Sequence, residues 1–100
     1  MTTHSVRLEA WPKLYVTATL REDGRLVIDG SDQTGELEFE YHITVQQTDV
    51  PVVAAALGAQ SDEELMSALE REGAVITRCG EYTWLRGLGI MPDLWSHREW

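Results

Sequence analysis

In residues 36–46, Glu-Leu-Glu-Phe-Glu-Tyr-His-Ile-Thr-Val-Gln, every apolar side chain falls on an odd number and every polar one on an even number. Successive side chains of a strand point to opposite faces, so a period of two specifies one strand with an apolar face and a polar face. Leu37, Phe39, Tyr41, Ile43 and Val45 form the predicted core face. Glu36, Glu38, Glu40, His42, Thr44 and Gln46 form the predicted wet face. The run is about twice the usual strand length, which makes it the expected spine of a sheet.

The residues before it repeat the pattern in shorter form. Ser5–Ala10 alternates with Val6, Leu8 and Ala10 on one side. Trp11-Pro12 interrupts it, because proline cannot donate to a ladder and restricts its predecessor. Lys13–Arg21 alternates again, with Leu14, Val16, Ala18 and Leu20 inward and Tyr15, Thr17 and Thr19 outward. Glu22-Asp23-Gly24 carries the Asp-Gly hairpin signal. Arg25–Asp29 returns with Leu26 and Ile28 inward, and Gly30–Gly35 reads as a polar loop. Such short connections predict an antiparallel meander with one face covered and one wet.

At Thr48 the pattern changes to helical spacing. Thr48 or Asp49 is placed to cap a helix with Pro51 in its first turn, Val50, Val53, Ala54 and Leu57 on one face and Gly58 as its stop. Ser61-Asp62-Glu63-Glu64 is a capping box that opens a second helix. That helix buries Leu65, Ala68 and Leu69, with Met66 at the border, and ends near Glu72 with Gly73 as the terminating residue. Ala74–Arg78 fits either a short strand or a bent helical continuation, and Cys79-Gly80-Glu81 reads as a turn. Tyr82–Leu88 is helical, with Trp84, Leu85 and Leu88 as its stripe, and Pro92 begins a last turn or short helix. The expected class is α+β in a single domain, residues 1–100: an antiparallel sheet of about four strands from the N-terminal half, with helices of the C-terminal half packed on one face.

Charge narrows the functions. The net charge is −9, with nine acids and four Lys/Arg in residues 1–50 and eight and four in residues 51–100. Nucleic acid and anionic membrane both require a basic patch, so neither is an expected partner. A basic protein is the expected partner, since complementary fields speed its capture. Cys79 is the only cysteine, which excludes an intramolecular disulfide and fits a reducing cytoplasm. The longest apolar run, Val50 to Leu57, is far short of the roughly 20 residues that span a bilayer. His4, His42 and His97 show no metal-ligand spacing, and no nucleophile elbow or phosphate loop occurs. No cofactor and no catalysis are therefore expected, and Cys79 reads as a small buried hydrophobe.

Glu36, Glu38 and Glu40 would line up about 7 Å apart on one strand face. They are either paired across strands with Lys13, Arg21 or Arg25, or left open as a docking surface, in which His42 would share. Glu70 and Glu72 stand near the expected end of the second helix, where its dipole disfavours acids, so they join the candidate partner-binding residues. Trp84 and Trp95 are expected in the core. Trp100, at the chain end, is either docked or offered to a partner.

The segment Trp84-Leu85-Arg86-Gly87-Leu88-Gly89-Ile90-Met91-Pro92-Asp93-Leu94-Trp95-Ser96 resembles a pattern of small acidic proteins of actinobacterial type. The long strand and Asp49-Val50-Pro51 to Leu57-Gly58 fit the same pattern, so the resemblance covers about the last two-thirds of the chain. Some proteins of this size and charge are similar to immunity proteins that neutralise polymorphic toxins. The resemblance implies a cytoplasmic inhibitor that binds a toxin enzyme and has no catalysis of its own. Two alternatives stand beside it. One is a homo-oligomer joined through the aromatic C-terminal end; the other is a small-molecule-binding or enzymatic domain with a pocket between sheet and helices.

Overall fold

A computed structural model describes residues 4–11, 14–32 and 38–99. Among the described residues, five strands form one antiparallel sheet in the order β1-β2-β3-β4-β5: β1 (His4–Trp11), β2 (Leu14–Leu20), β3 (Leu26–Asp32), β4 (Glu38–Val45) and β5 (Asp93–Glu99). Three helices, α1 (Val50–Ala56), α2 (Asp62–Cys79) and α3 (Glu81–Gly87), come between β4 and β5. The class is α+β, as the periodicities predict.

The sheet alternates as expected. Val16, Ala18, Leu20, Leu26, Ile28, Ile43 and Val45 are buried on one face. They pack with Val50 and Val53 of α1, Leu65, Met66, Leu69 and Ile76 of α2, Leu85 of α3, and Ile90. Tyr41 and Trp84 are partly buried against this cluster. Leu37 lies outside the described residues, and Phe39 occupies a β4 position whose side chain is not among those described. All three helices sit on the core side, which leaves the other side of the sheet open.

Several boundaries differ from the sequence reading, each for a physical reason. Gly30, Ser31 and Asp32 extend β3 instead of forming a loop. Gly30 pairs with Tyr41, and the Tyr41 ring fills the space a β-carbon at Gly30 would need. In β1 the register slips by one residue between Arg7 and Glu9, so Leu8 forms a bulge. The expected row Val6–Leu8–Ala10 therefore does not continue past Leu8. Gly73 does not end α2; it is buried within the helix. A Cβ there would come within 2.7 Å of Leu8 Cα, so the glycine serves the close approach of α2 to the β1 bulge. The helix runs on to Cys79 and stops at Gly80, whose φ of 95° suits glycine. This resolves Ala74–Arg78 as helix. Cys79 is exposed, not buried.

The serine half of the capping box forms, and Glu64 reaches back to the residue before the N-cap. Ser61 Oγ accepts from the Glu64 N–H at 3.2 Å, and the Glu64 carboxylate accepts from the Gln60 N–H at 3.3 Å. At α1, Asp49 takes the N-cap position without a side-chain cap bond. The largest departure is β5. Asp93–Glu99 is a strand, not a turn or short helix after Pro92. It pairs with β4, placing Trp95 opposite His42 and Leu94 opposite Ile43. Without it, β4 would leave a row of backbone groups unpaired at the sheet edge. Among the described residues, no helix is long and apolar enough to cross a membrane.

Candidate functional site

The open face of the sheet is built by the strand alternation itself. Side chains that point away from the helices include Thr17 and Thr19 on β2, Val27 and Asp29 on β3, and Glu40, His42 and Thr44 on β4. Trp95 joins them from β5, opposite His42 in register. None is fully buried.

At its centre His42 holds two neighbours together. Its Nδ1 hydrogen-bonds the Asp29 carboxylate, its cross-strand partner on β3. On the other side its ring packs against Trp95, with centroids 4.9 Å apart and planes inclined by 31°. That separation is typical of favourable ring pairs. Trp95 is 51% exposed, so it belongs to this surface and not to the core where the sequence reading placed it. Nearby, Gln46 Nε2 donates to Asp93 Oδ2 at 2.8 Å, tying the end of β4 to β5.

The two described acids of this face differ: Asp29 is paired across strands with His42, and Glu40 is not so paired. Glu40 stands between Ser31 and His97 in register, and among the described residues no Lys or Arg pairs with it. Arg25 is engaged by Asp23 at 2.8 Å in the β2–β3 turn. The Arg25 backbone N–H, followed by its guanidinium, holds the Asp23 carboxyl below its ordinary value. Lys13 lies outside the described residues. Glu38 stands opposite Glu99 in register, which places two acidic positions side by side at the far end of β4 and β5.

A groove of about 650 Å³ opens at the hairpin end of the same face. Thr19, Arg21, Val27, Asp29, His42 and Thr44 line it, together with the turn residues Glu22 and Asp23. It lies on the solvent side of the sheet. A smaller hollow, about 280 Å³, lies on the helical layer among Leu57, Val75, Ile76, Trp84 and Leu88.

The candidate residues from the sequence divide by layer. Glu40 and His42 are exposed on the open face. Glu38 shares their strand, though its side chain is not among those described, and Glu36 and Trp100 lie outside the described residues. Glu70 and Glu72 belong to α2 in the other layer and do not join this surface; Glu72 pairs with Arg71 at 3.6 Å. Because α2 continues to Cys79, both sit mid-helix, and the dipole argument for them lapses. Sequence reasoning missed Asp29 and Trp95. The Asp29 signal was present: an acid at an outward position of a strand expected to flank His42. Trp95 could be found only with β5.

Glu81, read as a turn residue, is 8% exposed at the start of α3. Burial raises its pKa above the ordinary value, and a hydrogen bond from Tyr41 works in the opposite direction. Among the described residues, no group of three His, Cys, Asp or Glu side chains could hold a metal ion. No family model, curated protein or solved structure matches the chain.

Proposed function

We propose that this protein is a non-enzymatic binding module whose open sheet face docks on a basic protein, in the manner of an immunity protein that inhibits a toxin enzyme in the cytoplasm. The observation that carries the reading is the surface around His42. A fixed aromatic pair, His42 and Trp95, sits among carboxylates that no described Lys or Arg neutralises. Aromatic anchors ringed by charge are what protein interfaces use for affinity and for rapid capture of an oppositely charged partner. Sheet backbone holds these side chains before the partner arrives, which lowers the ordering cost of association.

A gene for a basic enzyme is expected beside this chain's gene, and the product of that gene serves for the test. Purified chain inhibits that enzyme at one-to-one stoichiometry, and the double variant Glu40→Lys, Trp95→Ala loses at least tenfold in inhibition while its circular dichroism is unchanged. Equal inhibition by the variant removes the open face from the account.

One observation favours a second reading, a homo-oligomer. β5 is an edge strand, and Leu94 on it and Met91 before it are 54% and 71% exposed. Open edges with apolar side chains pair readily with a second chain. Light scattering on the same samples separates the readings: a stable homodimer that persists when the enzyme is added supports the oligomer, and a one-to-one complex supports the inhibitor.

A further inference from the structure

Resting on the docking reading above, we infer that the groove at the hairpin end of the open face takes a basic side chain of the partner, an arginine or lysine. Its volume of about 650 Å³ accommodates such a side chain with room for the backbone that presents it. Val27 lies between Thr19 and Thr44 in the cross-strand rows, so an isopropyl group and two threonine methyls offer an apolar floor. Arginine and lysine bury their aliphatic stems on such surfaces while the charged head reaches a polar partner.

Asp29 supplies that partner. One of its oxygens is bound by His42 Nδ1, and among the described residues the other accepts no hydrogen bond. An ionised carboxylate has acceptor sites for several donors, so the His42 bond orients the group without saturating it. His42 is itself held against Trp95, so the acceptor is fixed before a ligand arrives. Glu22 adds a second carboxylate that has no ion pair among the described residues, whereas Asp23 is engaged by Arg25. Arg21 lines the same groove and repels an incoming cation. Its presence makes the inference specific: removing it should strengthen binding, which a purely acidic patch elsewhere on the face would not show.

The probe is a hexa-arginine peptide titrated into the full chain, with amide chemical shifts as the readout and hexa-glutamate as the control. The expected result is that shifts centre on Thr19, Val27, Asp29 and Thr44. Asp29→Asn should then weaken binding about threefold and Arg21→Ala should tighten it by a similar factor, the range of one partly exposed ion pair. Shifts centred on Glu40 and Asp93, with both variants binding as the parent does, would overturn the groove and leave the docking face standing. No shift with hexa-arginine anywhere would overturn both.

Discussion

Glu81 carries a carboxyl group into the apolar layer at the point where α3 begins, and Tyr41 on β4 donates to it. Burial disfavours the charged form, so the folded-state pKa lies above the ordinary 4.5. Below the ordinary value the group is protonated in both states and imposes no ionisation cost. As pH rises toward and through the raised folded value, the unfolded chain ionises more readily, and stability is lost. Glu81→Gln keeps an acceptor for Tyr41 and removes the ionisable proton. The expected outcome is near-equal stability at pH 4 and a variant more stable than the parent at pH 8, read from urea unfolding at both values. The sequence did contain one sign of this contact. Tyr41 is the only residue with a hydroxyl in the apolar row Leu37 to Val45, and a phenol on a core face usually finds a buried partner. What the sequence could not supply was the partner, because residues 41 and 81 meet only once α3 packs on the sheet.

At the scale of elements, α2 and β1 are fitted to each other through Gly73 and the Leu8 bulge. A single methyl at Gly73 meets Leu8 backbone, which cannot move aside as a flexible side chain would. Gly73→Ala should therefore destabilise by about 2 kcal/mol, in the range for overpacked cores. Gly87→Ala at the end of α3, where a Cβ meets nothing within 4 Å, should be neutral or slightly stabilising. Denaturant midpoints of the two variants check this pair. Elements that announce themselves by local period were legible: β2 and β4, the start of α2 at its capping box, and the stripe of α3. The elements that were missed depend on distant partners. Gly73 has the local look of a helix end, but its place is decided by the β1 backbone. Residues 93–99 lack clean alternation, and β4 recruits them as its neighbour. Trp95 moved from expected core to the open face for the same reason.

Over the whole molecule, the helices close one side of the sheet and the acidic, aromatic side remains open. The net charge of −9 favours approach of a basic partner and opposes close self-association, and both effects weaken as salt screens them. The long alternating strand from which the fold was read also sets this asymmetry: its odd residues commit it to the core, and its even residues supply Glu40 and His42 to the open face. The proposed placement of the open face at the interface is tested most directly by hydroxyl-radical footprinting of the chain, alone and in complex with the proposed basic partner. Trp95 and His42 on the sheet face, and Tyr82 and Cys79 on the helical layer, are all exposed reporters in the free protein. The account predicts that Trp95 and His42 lose reactivity in the complex while Tyr82 and Cys79 keep theirs. Protection of Tyr82 and Cys79 with Trp95 and His42 unchanged would contradict it.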